Sequence, residues 1–260
     1  MIENKIKEFK ENGFTILENV IPKNEVKVLN NKLQETADKY GKVKNGVTYL
    51  ATTINFCHSF DKYLTDPNLN IIIKYFLGED YRISSTSTQI NEKNNKKGDW
   101  HADWPFCVFN GGYINKPLPN KVIHITCIFI IVDFNKNNGS TLVIPKSHLL
   151  DSNPTFDGDP YYGNYDDQIN IEAKAGSIFI MDSRLWHASD TNKTNTRRTS
   201  LVVRYAPWWL NLEVFRPNSL DRKKIIENKK IFGSLYPSIK KESFEKLNDN
   251  VKPLFEHWLE

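Results

Sequence analysis

Cysteine is scarce: Cys57, Cys107 and Cys127 are the only three among 260 residues. An odd count without a CxxC pair supports neither a disulfide framework nor a zinc knuckle, and it predicts a reducing compartment. Long apolar runs are missing too. The longest, Cys127 to Val132, falls far short of the roughly 20 residues that cross a bilayer, and Met1 to Glu11 alternates charge with single apolar residues where a leader would have an apolar block. No membrane partner is expected, and the expected location is cytoplasmic. An excess of one charge sign is also absent. Lys and Arg total 35 against 31 Asp and Glu, a net +4, which is too weak and too scattered to predict a nucleic-acid partner. The densest basic run, Arg222 to Lys224 with Lys229 and Lys230, is interrupted by Ile225, Ile226 and Ile231 and reads as the solvated face of an amphipathic helix.

What is present suits a packed core. Hydrophobic residues make up 39% and aromatics 12%, enough for one large domain over 1–260 without disulfide or structural-metal staples. Ile2, Ile6 and Phe9 recur at helical spacing, followed by Gly13 and a short apolar run from Phe14 to Leu17 that suits a strand. After Pro22 and the capping candidate Asn24, the residues Val26, Leu29, Leu33 and Ala37 mark a helix ending near Gly41, and another is expected from Pro67 to Leu77. The first 80 residues are therefore read as mainly helical.

From Tyr81 the texture changes to short apolar or alternating runs: 81–91, 101–109, 121–133, 141–145, 177–181 and 198–206. Turn residues rich in Gly, Pro, Asn and Asp separate them. At least six strands in one block with no alternating helices between them predict a sandwich or jelly roll over 81–206. Beyond it, 207–260 reads as helical, with Ile225, Ile226, Ile231, Phe244, Leu247, Leu254 and Trp258 as its buried set.

Six histidines occur, at 58, 101, 124, 148, 187 and 257. His101 stands in Trp100-His101-Ala102-Asp103-Trp104. On a strand, residues i and i+2 share a face roughly 6.6 Å apart, so an imidazole and a carboxylate there can grip one ion. His187 closes the apolar run after Gly176 and offers a third ligand. Two histidines and one carboxylate make the facial triad of non-haem Fe(II), with positions left open for chemistry, although zinc takes the same three ligands. The residue that discriminates is a cation placed to hold a carboxylate cosubstrate, and Arg198, with Arg197 beside it, follows His187 by eleven positions.

The order HxD, distal His, then Arg eleven residues later resembles the phytanoyl-CoA dioxygenase family of Fe(II)- and 2-oxoglutarate-dependent oxygenases. Three further segments share the resemblance: Phe9 to Pro22, Asn138-Gly139 leading to Pro145-Lys146-Ser147-His148, and His187 through Ser189 and Asn192 to Arg198. Lys146 departs from the family's glycine. The resemblance runs to about Tyr205. It implies a double-stranded β-helix of the cupin-like jelly-roll type, with flanking helices, and it implies Fe(II), 2-oxoglutarate and O2 as cofactor and cosubstrates. It further implies His101, Asp103 and His187 as metal ligands, Arg198 as the clamp on 2-oxoglutarate, and a structural role for His148.

Ser189, Thr126 and Gln89 are expected beside the cosubstrate, each also open to an ordinary packing or turn role. The aromatics Trp104, Phe106, Phe109, Trp208 and Trp209 are read as core residues or pocket walls. His124 is expected to pack or to face solvent. The expected outcome is hydroxylation of a small molecule. Desaturation, cyclisation and epimerisation share its first step, and a noncatalytic metal-binding jelly roll is the rival. Lys93, Lys96, Lys97 and Arg204 suggest positive charge at the barrel mouth and hence an anionic substrate.

Overall fold

A computed structural model describes residues 2–107, 114, 116–154, 160–231 and 233–260. Helix α1 (Ile2–Asn12) buries Phe9 and stops at Gly13, whose positive φ and close approach to the His148 ring leave no room for a Cβ. Strand β1 (Phe14–Leu17) follows. Helix α2 (Lys23–Tyr40) starts directly after Pro22 with no side-chain cap, so Asn24 lies inside the helix and does not cap it. Helix α3 (Pro67–Leu77) is capped by Asp66, whose carboxylate accepts from the backbone N–H of Asn68 at 3.0 Å and of Leu69 at 3.1 Å.

Two strands precede α3 that the sequence reading lacked. These are β2 (Lys42–Lys44) and β3 (Val47–Ala51), paired antiparallel around Asn45 and Gly46, both at positive φ. The remaining strands are β4 (Tyr81–Asn91), β5 (Ile125–Ile130), β6 (Thr141–Val143), β7 (Ile169–Asn170), β8 (Ile178–Asp182), β9 (His187–Ser189) and β10 (Arg198–Pro207). Seven form one sheet in the order β1-β8-β5-β10-β4-β3-β2, and three form a second in the order β7-β6-β9. Every pairing within them is antiparallel. The fold is the expected jelly roll.

Alternation along the strands divides the core in two. Leu201, Val203 and Tyr205 of β10 point away from the smaller sheet and pack with Leu29, Leu33, Leu69 and Ile72 of α2 and α3. Val202 points the other way, joining Ile128, Ile130, Met181 and Val143 between the sheets. On β10 the inward parity is therefore 198, 200, 202 and 204, and all four residues line one cavity.

Two readings need correction. Residues 101–107 form no strand: His101 makes a single antiparallel bridge to His187, and Trp104 to Phe106 turn away. The expected strand's end, including Phe109, lies outside the described residues. The C-terminal part is a string of short turns, Leu220–Arg222 continuing as Lys223–Glu227, then Lys241–Phe244 and two 3-10 turns. Ile231 is 36% exposed there, while Ile226, Leu247, Leu254 and Trp258 are buried.

Candidate active site

The three expected ligands meet. Backbone hydrogen bonds run both ways between His101 and His187, at 3.0 and 2.9 Å, so the two residues sit directly opposite one another with ring centroids 4.2 Å apart. The Asp103 N–H donates to the Ser183 carbonyl at 2.7 Å, which folds its side chain back toward the pair. One ligand atom from each of His101, Asp103 and His187 lies within 4.8 Å of the others. The expected i, i+2 placement thus comes from a bridge and a turn instead of a continuous strand.

The donor chemistry fits a divalent metal. His101 Nδ1 contacts the Asp99 carbonyl and His187 Nδ1 the Leu185 carbonyl, each at 2.9 Å. Carbonyls only accept, so each Nδ1 carries a hydrogen, and in the neutral ring Nε2 is the atom that offers a lone pair. Burial, with His101 alongside, pushes His187 down to about 4, so it is neutral at pH 7. Burial alone would raise the Asp103 carboxyl, but Arg204 and the two imidazoles hold it far below the usual carboxylate range.

Arg204 is the main residue that the sequence reading placed wrongly. Its Nη2 donates to Asp103 Oδ1 at 3.0 Å and its Nε to Oδ2 at 3.2 Å, so its charge is committed to the ligand carboxylate and does not add to a loose field at the mouth. Thr126 Oγ1 donates to the same Oδ2 at 2.6 Å. The register explains the grouping, because Thr126 on β5 pairs with Arg204 on β10.

Arg198 lies six residues before Arg204 on the same face of β10. It is 2% exposed and burial pushes it down to about 9, yet no carboxylate pairs with it among the described residues. Its Nη2 donates to the Gly139 carbonyl at 2.7 Å and its Nη1 to Ser200 Oγ at 3.0 Å, while Nε has no partner. The guanidinium lies 4.8 Å from the Phe134 ring centroid. Gly139, at φ +74°, presents that carbonyl where a Cβ would meet Asn192 N and Asp190 O at 2.8 Å. Buried Asn192 shapes the turn into β10, donating to the carbonyls of Asn91 and Thr196. Arg197 has the opposite parity and pairs at the surface with Asp38 and Glu92.

A cavity of about 220 Å³ joins Arg198 to His101 and His187, lined also by Gln89, Thr126 and Ser189. A second, of about 800 Å³, opens on the other side and shares Gln89, His101 and Arg204 with the first. Trp104 lines neither cavity; it is 8% exposed and packs on Phe215 at 4.7 Å and His124 at 5.6 Å. Trp208 and Trp209 are exposed. His124 is fully buried between the hydroxyls of Ser84, at 2.8 Å, and Ser183, at 2.7 Å. His148 Nε2 meets the Lys10 carbonyl at 3.1 Å and is not part of the His101, Asp103 and His187 cluster. Lys146 takes φ +67°, a conformation glycine adopts freely. Lys93 and Lys97 bond Asn195 and the Gly163 carbonyl and line neither cavity.

Residues 9–200, which hold His101, Asp103, His187 and Arg198, match the phytanoyl-CoA dioxygenase family. The chain belongs to this family. That family uses Fe(II), 2-oxoglutarate and O2. A dioxygenase of Aspergillus fumigatus, af480, is 28% identical over 144 residues, 55% of this chain and 42% of the relative. The match spans about two fifths of the length of that relative and of two uncharacterized mycobacterial proteins. Among solved structures, HygX from Streptomyces hygroscopicus, with nickel and 2-oxoglutarate bound, superposes with a TM-score of 0.64 at 12% identity, covering 90% of this chain and 94% of HygX. The 2-oxoglutarate-dependent epimerase SnoN from nogalamycin biosynthesis gives 0.64 at 16% identity, covering 79% and 83%. These two likenesses speak for the jelly-roll fold. Among the described residues no helix is long and apolar enough to cross a membrane.

Proposed function

We propose that this chain, as one catalytic domain over 1–260, hydroxylates a small-molecule metabolite: substrate C–H, O2 and 2-oxoglutarate give substrate C–OH, succinate and CO2. The observation that carries the reading is Arg198, a buried cation without a counter-ion among the described residues, facing the His101, Asp103 and His187 cluster across a cavity of about 220 Å³. A buried, unpaired guanidinium is costly unless a carboxylate completes it.

In this reading His101, Asp103 and His187 hold Fe(II), which when bound supplies the oxygen-activating chemistry. Arg198 takes the far carboxylate of 2-oxoglutarate in a charge-assisted pair, with Ser200 and the Gly139 carbonyl fixing its plane. Gln89 and Ser189 line the same cavity and orient the rest of the cosubstrate. Ile128, Met181 and Val202 form its dry wall and exclude water. Thr126 holds Asp103 and leaves the cosubstrate to its neighbours. Arg204 keeps that carboxylate ionised and oriented. The buried Cys57, Cys107 and Cys127 support a cytoplasmic location.

The test is succinate formation with purified protein. Turnover that requires Fe(II), 2-oxoglutarate and O2 together, and that falls at least a hundredfold in His187→Ala, supports the reading. Protein that binds metal yet forms no succinate with any metabolite panel, and none uncoupled, would make it a noncatalytic jelly roll.

A further inference from the structure

The larger cavity has walls that come partly from outside the family match, which ends at residue 200. Tyr40, Tyr49 and Phe56, from α2, β3 and the following turn, line it together with Leu235, Tyr236 and Pro237 of the C-terminal segment. That segment is fixed: the Tyr236 N–H donates to the Phe215 carbonyl at 2.8 Å, and its ring packs on Phe215 and Trp258. The phenol oxygens of Tyr49 and Tyr236 stand 3.4 Å apart. Tyr40, Phe56 and Leu235 are 47, 37 and 43% exposed, giving the cavity an apolar mouth.

Among the described residues, the unpaired charge at this cavity has one sign. Lys42 and Lys240 line it and are exposed, without an ion pair among the described residues. Among the described lining residues the one carboxylate is Asp103, already paired with Arg204. A volume of about 800 Å³ is several times what an acetate- or phosphonate-sized molecule fills.

We propose that this cavity selects a flat, largely apolar free metabolite of several rings or equivalent bulk, carrying an anionic group at its outer end. Its body lies against Tyr49 and Tyr236, with Phe56 and Leu235 at the mouth and the carbon to be oxidised toward His101. Its anion faces Lys42 and Lys240. Residues 233–240 are thus the specificity-determining wall. This rests on the oxygenase reading for the direction of the reacting carbon.

The test uses 1-pyrenebutyrate, 1-pyrenebutanol, propionate and the coenzyme A thioester of pyrenebutyrate as probes. Binding is read by fluorescence, or by displacement for propionate, with protein holding Mn(II) and 2-oxoglutarate without O2. The acid is expected to bind at least tenfold more tightly than the alcohol and than propionate. A Lys42→Glu/Lys240→Glu double variant should erase the preference for acid over alcohol, with raised salt acting the same way. Leu235→Trp, at an exposed position that leaves folding intact by circular dichroism, should weaken acid and alcohol alike by at least fivefold.

Equal binding of acid and alcohol that ignores the charge reversal would overturn the proposal, as would propionate binding as tightly as the acid. Tighter binding of the thioester than of the free acid would overturn it in favour of a carrier-bound substrate. Anaerobic Fe(II) and 2-oxoglutarate titration of the same protein separates the two readings. A normal cosubstrate complex with non-discriminating probes sinks this inference alone, and no cosubstrate complex sinks the oxygenase reading.

Discussion

Arg204 grips Asp103 with two of its nitrogens, Nη2 to Oδ1 at 3.0 Å and Nε to Oδ2 at 3.2 Å, and so neutralises the buried carboxylate of the proposed metal site. Removing one partner of such a pair leaves the other charge uncompensated in the interior, at a cost of about 3–5 kcal/mol. Arg204→Met should therefore lower the melting temperature of metal-free protein sharply. Mn(II), which compensates Asp103 directly, should restore more stability to the variant than to the parent. Equal losses with and without Mn(II) would show that Arg204 serves packing alone.

Thr126 was expected at the cosubstrate, yet its hydroxyl is spent on Asp103 Oδ2 at 2.6 Å. A hydrogen bond to a charged group contributes about 1.5–3 kcal/mol. Thr126→Val should accordingly weaken metal affinity by roughly tenfold or more while leaving the 2-oxoglutarate requirement at saturating metal within about twofold. A raised 2-oxoglutarate KM with unchanged metal affinity would restore the original expectation.

The two adjacent arginines should separate cleanly. Arg198→Leu removes the buried cation and should raise the 2-oxoglutarate requirement at least about tenfold, consistent with loss of a charge-assisted pair. Arg197, on the opposite face with Asp38 and Glu92, should tolerate Leu with little change in KM. The measurement is succinate formation against 2-oxoglutarate concentration, and equal sensitivity at both positions would show the strand register to be wrong.

Buried His124 makes stability depend on pH. Burial, with Arg204 nearby, pushes it down to about 3 from an ordinary 6.5. The unfolded chain thus binds more protons than the folded one between those values, so the contribution is complete above 6.5 and is lost as pH falls toward 3. Between pH 6.5 and 4.5 this amounts to roughly 2 kcal/mol. Urea midpoints of His124→Gln, which retains a hydrogen-bonding side chain, should fall less over that window than those of the parent. Parallel slopes would place the acid sensitivity elsewhere.

Much of this arrangement is legible in the chain. HxD, the distal His187 and Arg198 are individually common residues, but their order and spacing, with Ser189 and Asn192 between, single out the four positions that the fold assembles. The i, i+2 argument named a pair that does come together, but through another element than the one expected. Two residues share a face on a strand, and a lone bridge followed by a turn brings them together as well.

The β2–β3 hairpin carried its own signal in Asn45-Gly46, a dipeptide suited to a turn with positive φ at both positions, set between alternating residues. Arg204 was seen but given the wrong partner, since nothing local in sequence says that residue 204 faces Thr126 across the sheet and Asp103 below it. Tyr236 had no signal at all. Its place at the cavity follows from how the C-terminal turns pack on Phe215 and Trp258, and periodicity does not report that.

The most direct measurement of the central claim is an anaerobic titration of the protein with Fe(II) and 2-oxoglutarate, following the weak visible charge-transfer absorption of the iron chelate. The account predicts one chelate per chain, absent in His187→Ala and needing at least about tenfold more 2-oxoglutarate in Arg198→Leu. Absence of the band in the parent protein, or a band indifferent to both substitutions, would contradict it.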